Sequence, residues 1–161
     1  MITVYVDQSG KIERSDTVTV VAFANGKTKS IIIGAVEKQK LIRGMRELDF
    51  PNKTFIIKIF AALVYLLVKD EKISLLKIDR EYPGHEALLR QIIRQLYQKN
   101  NKIPPGVEFV LVGKESLAHK VAIGTFKRDL KPNLKTGKVE IINLLYKKIA
   151  GAPDLVGKIS S

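Results

Sequence analysis

Cysteine is absent from the 161 residues of this chain, and acidic side chains are scarce beside basic ones. Without cysteine there is no disulfide framework, no thiolate metal site and no cysteine nucleophile. The sequence also lacks a glycine-rich phosphate loop, a nucleophile elbow and a His-Glu-x-x-His motif, which removes several common enzyme classes. Its most apolar run, residues 55–68, is interrupted by Lys58. This run is too short to cross a bilayer, so we expect a core helix there.

The charge balance points to a class of partner. The chain has 28 basic and 16 acidic residues and a net charge of +12, which favours polyanions, nucleic acid (DNA or RNA) before anionic membrane. A lysine- and isoleucine-rich composition is also common in heat-adapted proteins and would by itself raise the isoelectric point. No basic segment followed by an apolar one opens the sequence, so we expect no signal peptide, a cytoplasmic location and no membrane partner.

Alternating and β-branched patterns predict five strands, at residues 2–7, 17–24, 27–34, 73–79 and 107–112. Asn25-Gly26 separates the second strand from the third and predicts a tight hairpin. Helical spacing or apolar character predicts helices at residues 53–69, 85–99 and 116–130, and residues 35–48 could hold a short one. Residues 139–149 are apolar enough for a further helix or an added strand, and the sequence leaves both open.

This element order predicts an α/β fold in one domain of ordinary size. Hairpins join the first three strands, and right-handed crossovers make the last two parallel to their neighbours. The expected sheet is therefore mixed and five-stranded, with helices on its faces. We expect the domain to occupy residues 1–130, with residues 131–161 as a C-terminal extension packed on it.

Two of the predicted strands end on an aspartate, Asp7 in the first and Asp79 in the fourth. A carboxylate after a buried strand contributes little to packing, but it suits a site at the carboxyl end of a parallel sheet. If the two strands are neighbours, the carboxylates repel each other unless a divalent cation lies between them. Glu81, two residues after Asp79, could point the same way, and Glu47 could also approach. A turn-forming role is the alternative for both aspartates.

The order of elements, with Asp7 and Asp79 ending the first and fourth strands, resembles the ribonuclease H-like superfamily over roughly residues 1–130. Three stretches are similar to that family in their local sequence. They are the apolar run and Asp-x-x-Tyr of residues 75–82, the Ala-Ala-Leu-Val of the first long helix at 61–64, and the fifth strand with the last helix at 107–112 and 118–122. The resemblance implies that the first and fourth strands are central, adjacent and parallel. It also implies that Asp7 and Asp79 bind Mg²⁺ or Mn²⁺ in a nuclease.

Two positions depart from the family pattern. Matched on the Ala-Ala segment, Lys58 stands where the family has a metal-facing glutamate, and His119 stands where its last helix has an aspartate. We expect Lys58 to extend from the core to solvent, and the alternative is a buried lysine paired with Asp7 or Asp79. His119 is either an ordinary surface histidine or a metal ligand or proton shuttle.

Three functions compete at this point. The first is a metal-dependent nuclease in which Asp7, Asp79, Glu81 and His119 are catalytic. The second is an inactive nucleic-acid-binding module on the same fold, and the third is a protein-assembly subunit. Binding of nucleic acid is assigned to a set of cations that would release counterions from phosphates: Lys58, Lys127, Arg128 and Lys131.

Overall fold

The computed structural model describes residues 2–48 and 54–147, which form an α/β fold. In chain order its elements are β1 (Thr3–Ser9), β2 (Thr19–Asn25), β3 (Lys27–Ile33), α1 (Ala35–Leu48), α2 (Phe55–Val68), β4 (Leu75–Asp79), α3 (Glu86–Lys99), β5 (Gly106–Val110), α4 (Leu117–Phe126), β6 (Leu134–Thr136) and α5 (Lys138–Tyr146). None of the helices in the described residues has both the length and the apolar character needed to span a membrane.

A single mixed sheet organises the fold, in the strand order β5-β4-β1-β2-β3-β6. β1, β2 and β3 pair antiparallel, and β4 and β5 run parallel to β1. The Asn25-Gly26 hairpin is present, and Gly26 has a φ of 68°, which glycine adopts without strain. The α/β class and the mixed sheet are confirmed.

The expectation of five strands was wrong, because the segment after residue 130 adds a sixth. β6 pairs parallel with β3 at the edge of the sheet. The side chain of Asn133 accepts a hydrogen bond from the Ser30 N–H at 2.8 Å, which fixes the approach of this segment. Part of the expected extension, the strand β6, therefore belongs to the sheet. Three residues are too few to give a readable alternation, which is why the pattern did not reveal the strand.

Two differences concern the later helices. The undecided stretch forms α5 over Lys138–Tyr146, and residues 148 and 149 lie outside the described residues. The helix expected to reach residue 130 ends at Phe126 instead. Arg128 has a φ of 69°, and the N–H groups of Asp129 and Leu130 both donate back to the carbonyl of Gly124. This left-handed turn closes the helix, although arginine pays a steric cost there that glycine would not.

The helices divide unequally between the two faces of the sheet. α2 packs on β2 and β3 and is surrounded by α1, α3 and α5, whereas α4 packs alone on β1, β2 and β3. β2 is therefore buried on both faces from Thr19 to Ala24. Val21 and Phe23 join the main core with α2, and the alternation of side chains turns Ala22 toward α4.

Lys58 lies in α2 and is only 3% exposed, so the expectation that it extends to solvent was wrong. All residues of α2 from Ile57 to Val68 are buried, because neighbouring helices and the sheet enclose the helix on every side. A lysine on such a helix has no exposed face to reach. The run of apolar residues gave no sign of this, since it predicts a core helix but not how many neighbours surround it.

A second lysine, Lys38 of α1, is fully buried and fixes the loop between β1 and β2. Its Nζ donates to the carbonyl of Lys11 at 3.0 Å and to Oγ1 of Thr19 at 3.1 Å. The next residue, Gln39, donates from Nε2 to the carbonyl of Ser15 at 2.7 Å. Helix α1 therefore holds the β1–β2 loop at two points.

The ionisation of Lys38 should make stability depend on pH. Burial lowers the pKa of Lys38 to about 8, from a usual 10.5, although the carboxylates of Asp16 and Glu13 act in the opposite direction. Below pH 8 the folded protein carries the full cost of a buried ammonium. As pH rises above 8 the folded state releases the proton while the unfolded state keeps it, so stability increases.

Between pH 8 and pH 9.5, we predict that the free energy of unfolding of the wild type rises by about 2 kcal/mol more than that of Lys38→Met. One pKa unit corresponds to about 1.36 kcal/mol. Denaturant unfolding at several pH values measures this difference, and groups common to both proteins cancel. Lys40→Met, on the exposed side of the same helix, serves as the control and should follow the wild type. Parallel pH profiles for the wild type and Lys38→Met would contradict the assignment.

Candidate functional site

Asp7 and Asp79 occupy equivalent places on neighbouring parallel strands, as expected. Val6 of β1 pairs with Ile78 of β4, and the two aspartates are the next residue on each strand. Adjacent strands lie about 4.8 Å apart, and paired residues project to the same face. Val6 and Ile78 face the main core, so the aspartates face the side that carries α4.

Asp7 is 4% exposed and lies beneath α4. Its paired residue on β2 is Ala22, and α4 contributes two fully buried alanines, Ala118 and Ala122. Such small side chains allow the helix to approach the sheet closely. Oδ1 of Asp7 accepts a hydrogen bond from the N–H of Gln8 at 2.8 Å. Burial raises the pKa of Asp7 above its usual value, and the charge of Asp79 adds to the effect, while the Gln8 hydrogen bond acts against it.

His119, in the first turn of α4, completes the environment of Asp7. Its Nδ1 lies 2.8 Å from Oδ2 of Asp7, and its side chain is 27% exposed. An ionised carboxylate can only accept, so Nδ1 carries the proton and a neutral ring keeps its lone pair on Nε2. The surface-histidine interpretation therefore does not describe this residue. The Oγ of Ser116 accepts from the N–H of Ala118 at 3.2 Å and fixes the start of the helix.

Asp79 and Glu81 form the second half of the cluster. Oδ1 of Asp79 accepts from the N–H of Val112 at 2.8 Å, which ties it to the loop between β5 and α4. Glu81 is half-buried, and burial raises the pKa of its carboxyl, with further increases from the negative charges of Asp79 and Asp7. Glu81 is therefore close enough to both aspartates to be affected by their charge.

Gln8 and Tyr82 connect the two halves of the cluster, although no sequence pattern singles out Gln8. Its Oε1 accepts from the Tyr82 hydroxyl at 3.0 Å, and its Nε2 donates to the carbonyl of Gly10 at 3.2 Å. The Tyr82 ring packs 5.1 Å from that of Phe60 in α2. Tyr82 directly follows Glu81, so this pair fixes Glu81 relative to β1. Extension of β1 to Ser9, beyond the expected end at residue 7, is what brings Gln8 inside the protein.

The β1–β2 loop supplies two more charged residues that the sequence analysis missed. The ammonium of Lys11 lowers the pKa of Glu81, and the carboxylate of Glu13 raises it. Glu13 is thus a further carboxylate near the cluster, whereas Glu47 lies on the exposed side of α1. The position of the loop directly after Asp7 was the available signal, because the carboxyl end of a central strand is where α/β proteins build sites.

Two of the predicted binding regions lie apart from this cluster. Lys58 belongs to the helix on the opposite face of the sheet, and among the described residues it forms no ion pair with Asp7 or Asp79. Lys127, Arg128 and Lys131 are exposed at the far end of α4. Lys127 follows His119 by eight residues, which is about 12 Å along the helix axis at ~1.5 Å per residue.

The donor atoms of the cluster suit a hard divalent cation. Carboxylate oxygens are the ligands that Mg²⁺ and Mn²⁺ prefer, and the mutual repulsion of Asp7, Asp79 and Glu81 would be relieved by a cation. Within residues 2–48 and 54–147, however, no three side chains of His, Asp or Glu are already grouped to hold a metal ion. The chemistry of the donors fits a metal, and Asp7 and Asp79 are the residues that would hold it.

In comparisons with known proteins, no protein-family model, no curated protein and no solved structure matches the chain.

Glu81→Gln should stabilise the protein at neutral pH, because it removes a charge that burial and the aspartates disfavour. The pKa of Glu81 is raised in the folded state, so the penalty is absent well below pH 4.5 and develops as the pH rises from 4.5 toward the higher folded pKa. We predict a higher Tm at pH 7, by roughly 2–4 °C per kcal/mol relieved, and no gain near pH 3.5. Glu115→Gln, at a side chain that is 97% exposed, is the control and should change little. An unchanged or lower Tm at pH 7 would argue against repulsion within the cluster.

Proposed function

We propose that this protein is a divalent-metal-dependent nuclease with a ribonuclease H-like fold. The observation that carries the proposal is the placement of Asp7 and Asp79 on neighbouring parallel strands, facing one side, with Glu81 and His119 beside them. The adjacency, parallel pairing and central position of β1 and β4 are what the resemblance implies, and they support the fold assignment.

Each residue of the cluster has a distinct role in the proposed hydrolysis of a phosphodiester. Asp7 and Asp79 supply oxygen ligands, and a bound Mg²⁺ or Mn²⁺ would polarise the phosphate and lower the pKa of the attacking water. His119 is held in one tautomer by Asp7, so its Nε2 is the nitrogen available to exchange a proton. Glu81 has a raised pKa, which brings it closer to the neutral range in which a general acid or base operates.

Charge supports nucleic acid as the substrate class. The net charge of +12 attracts a polyanion, while the cluster itself is acidic, so cations elsewhere must provide the binding. Lys127, Arg128 and Lys131 form an exposed basic turn at the end of the helix that begins beside Asp7. A strand crossing the carboxylates could follow α4 and reach this turn, where its phosphates would displace counterions.

The burial and hydrogen bonding of Asp7 favour a second function, the binding of nucleic acid without cleavage. This residue is 4% exposed, and both of its carboxylate oxygens already have partners within the protein. A metal would have to share Oδ1 and Oδ2 with Gln8 and His119. The same basic turn would then serve a binding module, and the acidic cluster would be a remnant.

The nuclease is tested with purified protein, Mg²⁺ or Mn²⁺, and three substrates: an RNA–DNA hybrid, branched DNA and single strands. We predict metal-dependent cleavage of at least one substrate. Asp7→Asn and Asp79→Asn should each lower its rate by roughly 100-fold or more, because a lost ligand removes several kcal/mol of transition-state stabilisation. Asp70→Asn is the matched control, since Asp70 is 68% exposed in the turn at the other end of β4.

Absence of cleavage on every substrate, with Asp7→Asn binding nucleic acid like the wild type, would leave the binding module as the function. Failure to bind nucleic acid even at low salt, together with a stable protein partner in native extract, would instead indicate the assembly subunit.

Replacement of Lys127, Arg128 and Lys131 by alanine should weaken nucleic-acid binding equally on all sequences. Each phosphate contact contributes about 0.9 to the slope of log affinity against log salt, so we predict that the slope falls by about 2–3. The control is the triple alanine variant of the exposed Lys27 and Lys72 and the half-buried Lys69, near the opposite end of the sheet, which should keep the wild-type slope. A loss confined to one sequence would indicate base readout and refute this assignment.

A further inference from the structure

An exposed tyrosine lies on the same sheet face as the two aspartates. Tyr5 precedes Asp7 by two residues on β1, and Lys77 precedes Asp79 by two on β4. Tyr5 and Lys77 are paired across the strands, and the Lys77 Nζ lies 5.7 Å from the centre of the Tyr5 ring. Side chains two apart on a strand share a face, so the four residues form one row of pairs along β1 and β4.

This part of the face is open because α4 does not extend over it. Among the described elements, α4 packs on β1, β2 and β3, and the other helices pack with the opposite face. Tyr5 is consequently 43% exposed, whereas its neighbours Val4 and Val6 are 2% and 0% exposed. The tyrosine therefore presents a ring to solvent at the border between the covered and the open part of the sheet.

Tyr5 and Lys77 together suit a ligand that carries both an aromatic ring and a negative charge. An exposed ring stacks on any nucleobase, and a neighbouring ammonium attracts the phosphate that a nucleotide carries. Bases in a duplex are already stacked and paired, so an unpaired base is the one that can use Tyr5. Two residues of strand cover about 6.6 Å, so a base on Tyr5 lies directly beside the carboxylate cluster.

We propose that Tyr5 and Lys77 form a subsite for an unpaired base of single-stranded nucleic acid, whose backbone runs from there toward the Asp7–Asp79 pair. The subsite deepens the proposed function and rests on it only for the direction of the strand. A sheet-stabilising contact between Tyr5 and Lys77 would produce the same geometry without a ligand, so the test must detect stacking itself.

Tyrosine fluorescence detects stacking directly, because the chain contains five tyrosines and no tryptophan. Tyr65 and Tyr97 are 2% and 5% exposed, and Tyr82 and Tyr146 are half-buried. Binding of oligothymidylate in EDTA should therefore quench mainly Tyr5. Tyr5→Phe should keep the affinity, measured by anisotropy of a labelled oligonucleotide, and lose most of the quenching.

Affinity is measured with Tyr5→Val, which keeps a strand-forming residue and removes the ring. We expect a loss of about 5- to 150-fold, the range that follows from one base–aromatic stack. Lys77→Met should weaken binding and lower the salt slope by about 1. Circular dichroism melts establish that both variants fold. The proposal is overturned if Tyr5→Val binds like the wild type, if duplex competes as well as single strand, or if the wild type is a dimer that Tyr5→Val dissociates.

EDTA separates this test from the nuclease test, because no metal-dependent cleavage occurs during the titration. Ring-dependent binding without cleavage in any metal supports the subsite and refutes the nuclease. Metal-dependent cleavage of single strands with unchanged binding and kcat/KM in Tyr5→Val supports the nuclease and refutes the subsite.

Discussion

The parallel pairing of β1 with β4 is the constraint on which the candidate site depends. It places Asp7 and Asp79 side by side on one face, while Val6 and Ile78 anchor the same strands in the core on the other. Two carboxylates held this way repel each other, and burial strengthens the repulsion. Burial raises the pKa of Asp7 and of Glu81, and the charges of the neighbouring carboxylates add to the increase. A fold can keep such a conflict at a functional site because its core elsewhere is extensive.

The remaining features of the site hold these carboxylates in place. α4 approaches closely over alanines and brings His119 to Asp7, and the loop after β5 donates an N–H to Asp79. The Tyr82 hydroxyl reaches Gln8 from the opposite side and fixes the chain around Glu81. Because α4 covers only part of this face, it protects Asp7 and leaves the ring of Tyr5 open. Protection of the acid and exposure of the aromatic ring therefore have the same cause.

Prediction from sequence succeeded where a pattern is local and regular. The strand alternation, the Asn25-Gly26 hairpin and the aspartates that end two strands each follow from residues next to one another. The local patterns predicted the mixed sheet, whereas the adjacency of Asp7 and Asp79 was an implication of the family resemblance. The three-residue strand β6 was missed because its pairing depends on Asn133 meeting Ser30, more than 100 positions earlier.

Burial of charge was the hardest feature to predict. Lys58 was expected to reach solvent, and Lys38 had no special place in the sequence, yet both are buried. Whether a lysine stays inside depends on acceptors supplied by distant segments, such as the Lys11 carbonyl for Lys38, and no local pattern encodes them. The same holds for His119, whose partner Asp7 lies 112 positions away.

The proposed nuclease requires that Asp7 and Asp79 together bind a divalent cation. Carboxyl-carbon NMR of labelled protein, titrated with Mg²⁺ in the presence of a short oligonucleotide, tests it most directly because each carboxylate is observed separately. We expect saturable shifts of the Asp7 and Asp79 signals, with Glu81 titrating at lower pH once the cation is bound, while the exposed Asp70 signal stays unchanged. Asp7 and Asp79 signals that do not move at millimolar Mg²⁺ would show that the pair does not bind the cation.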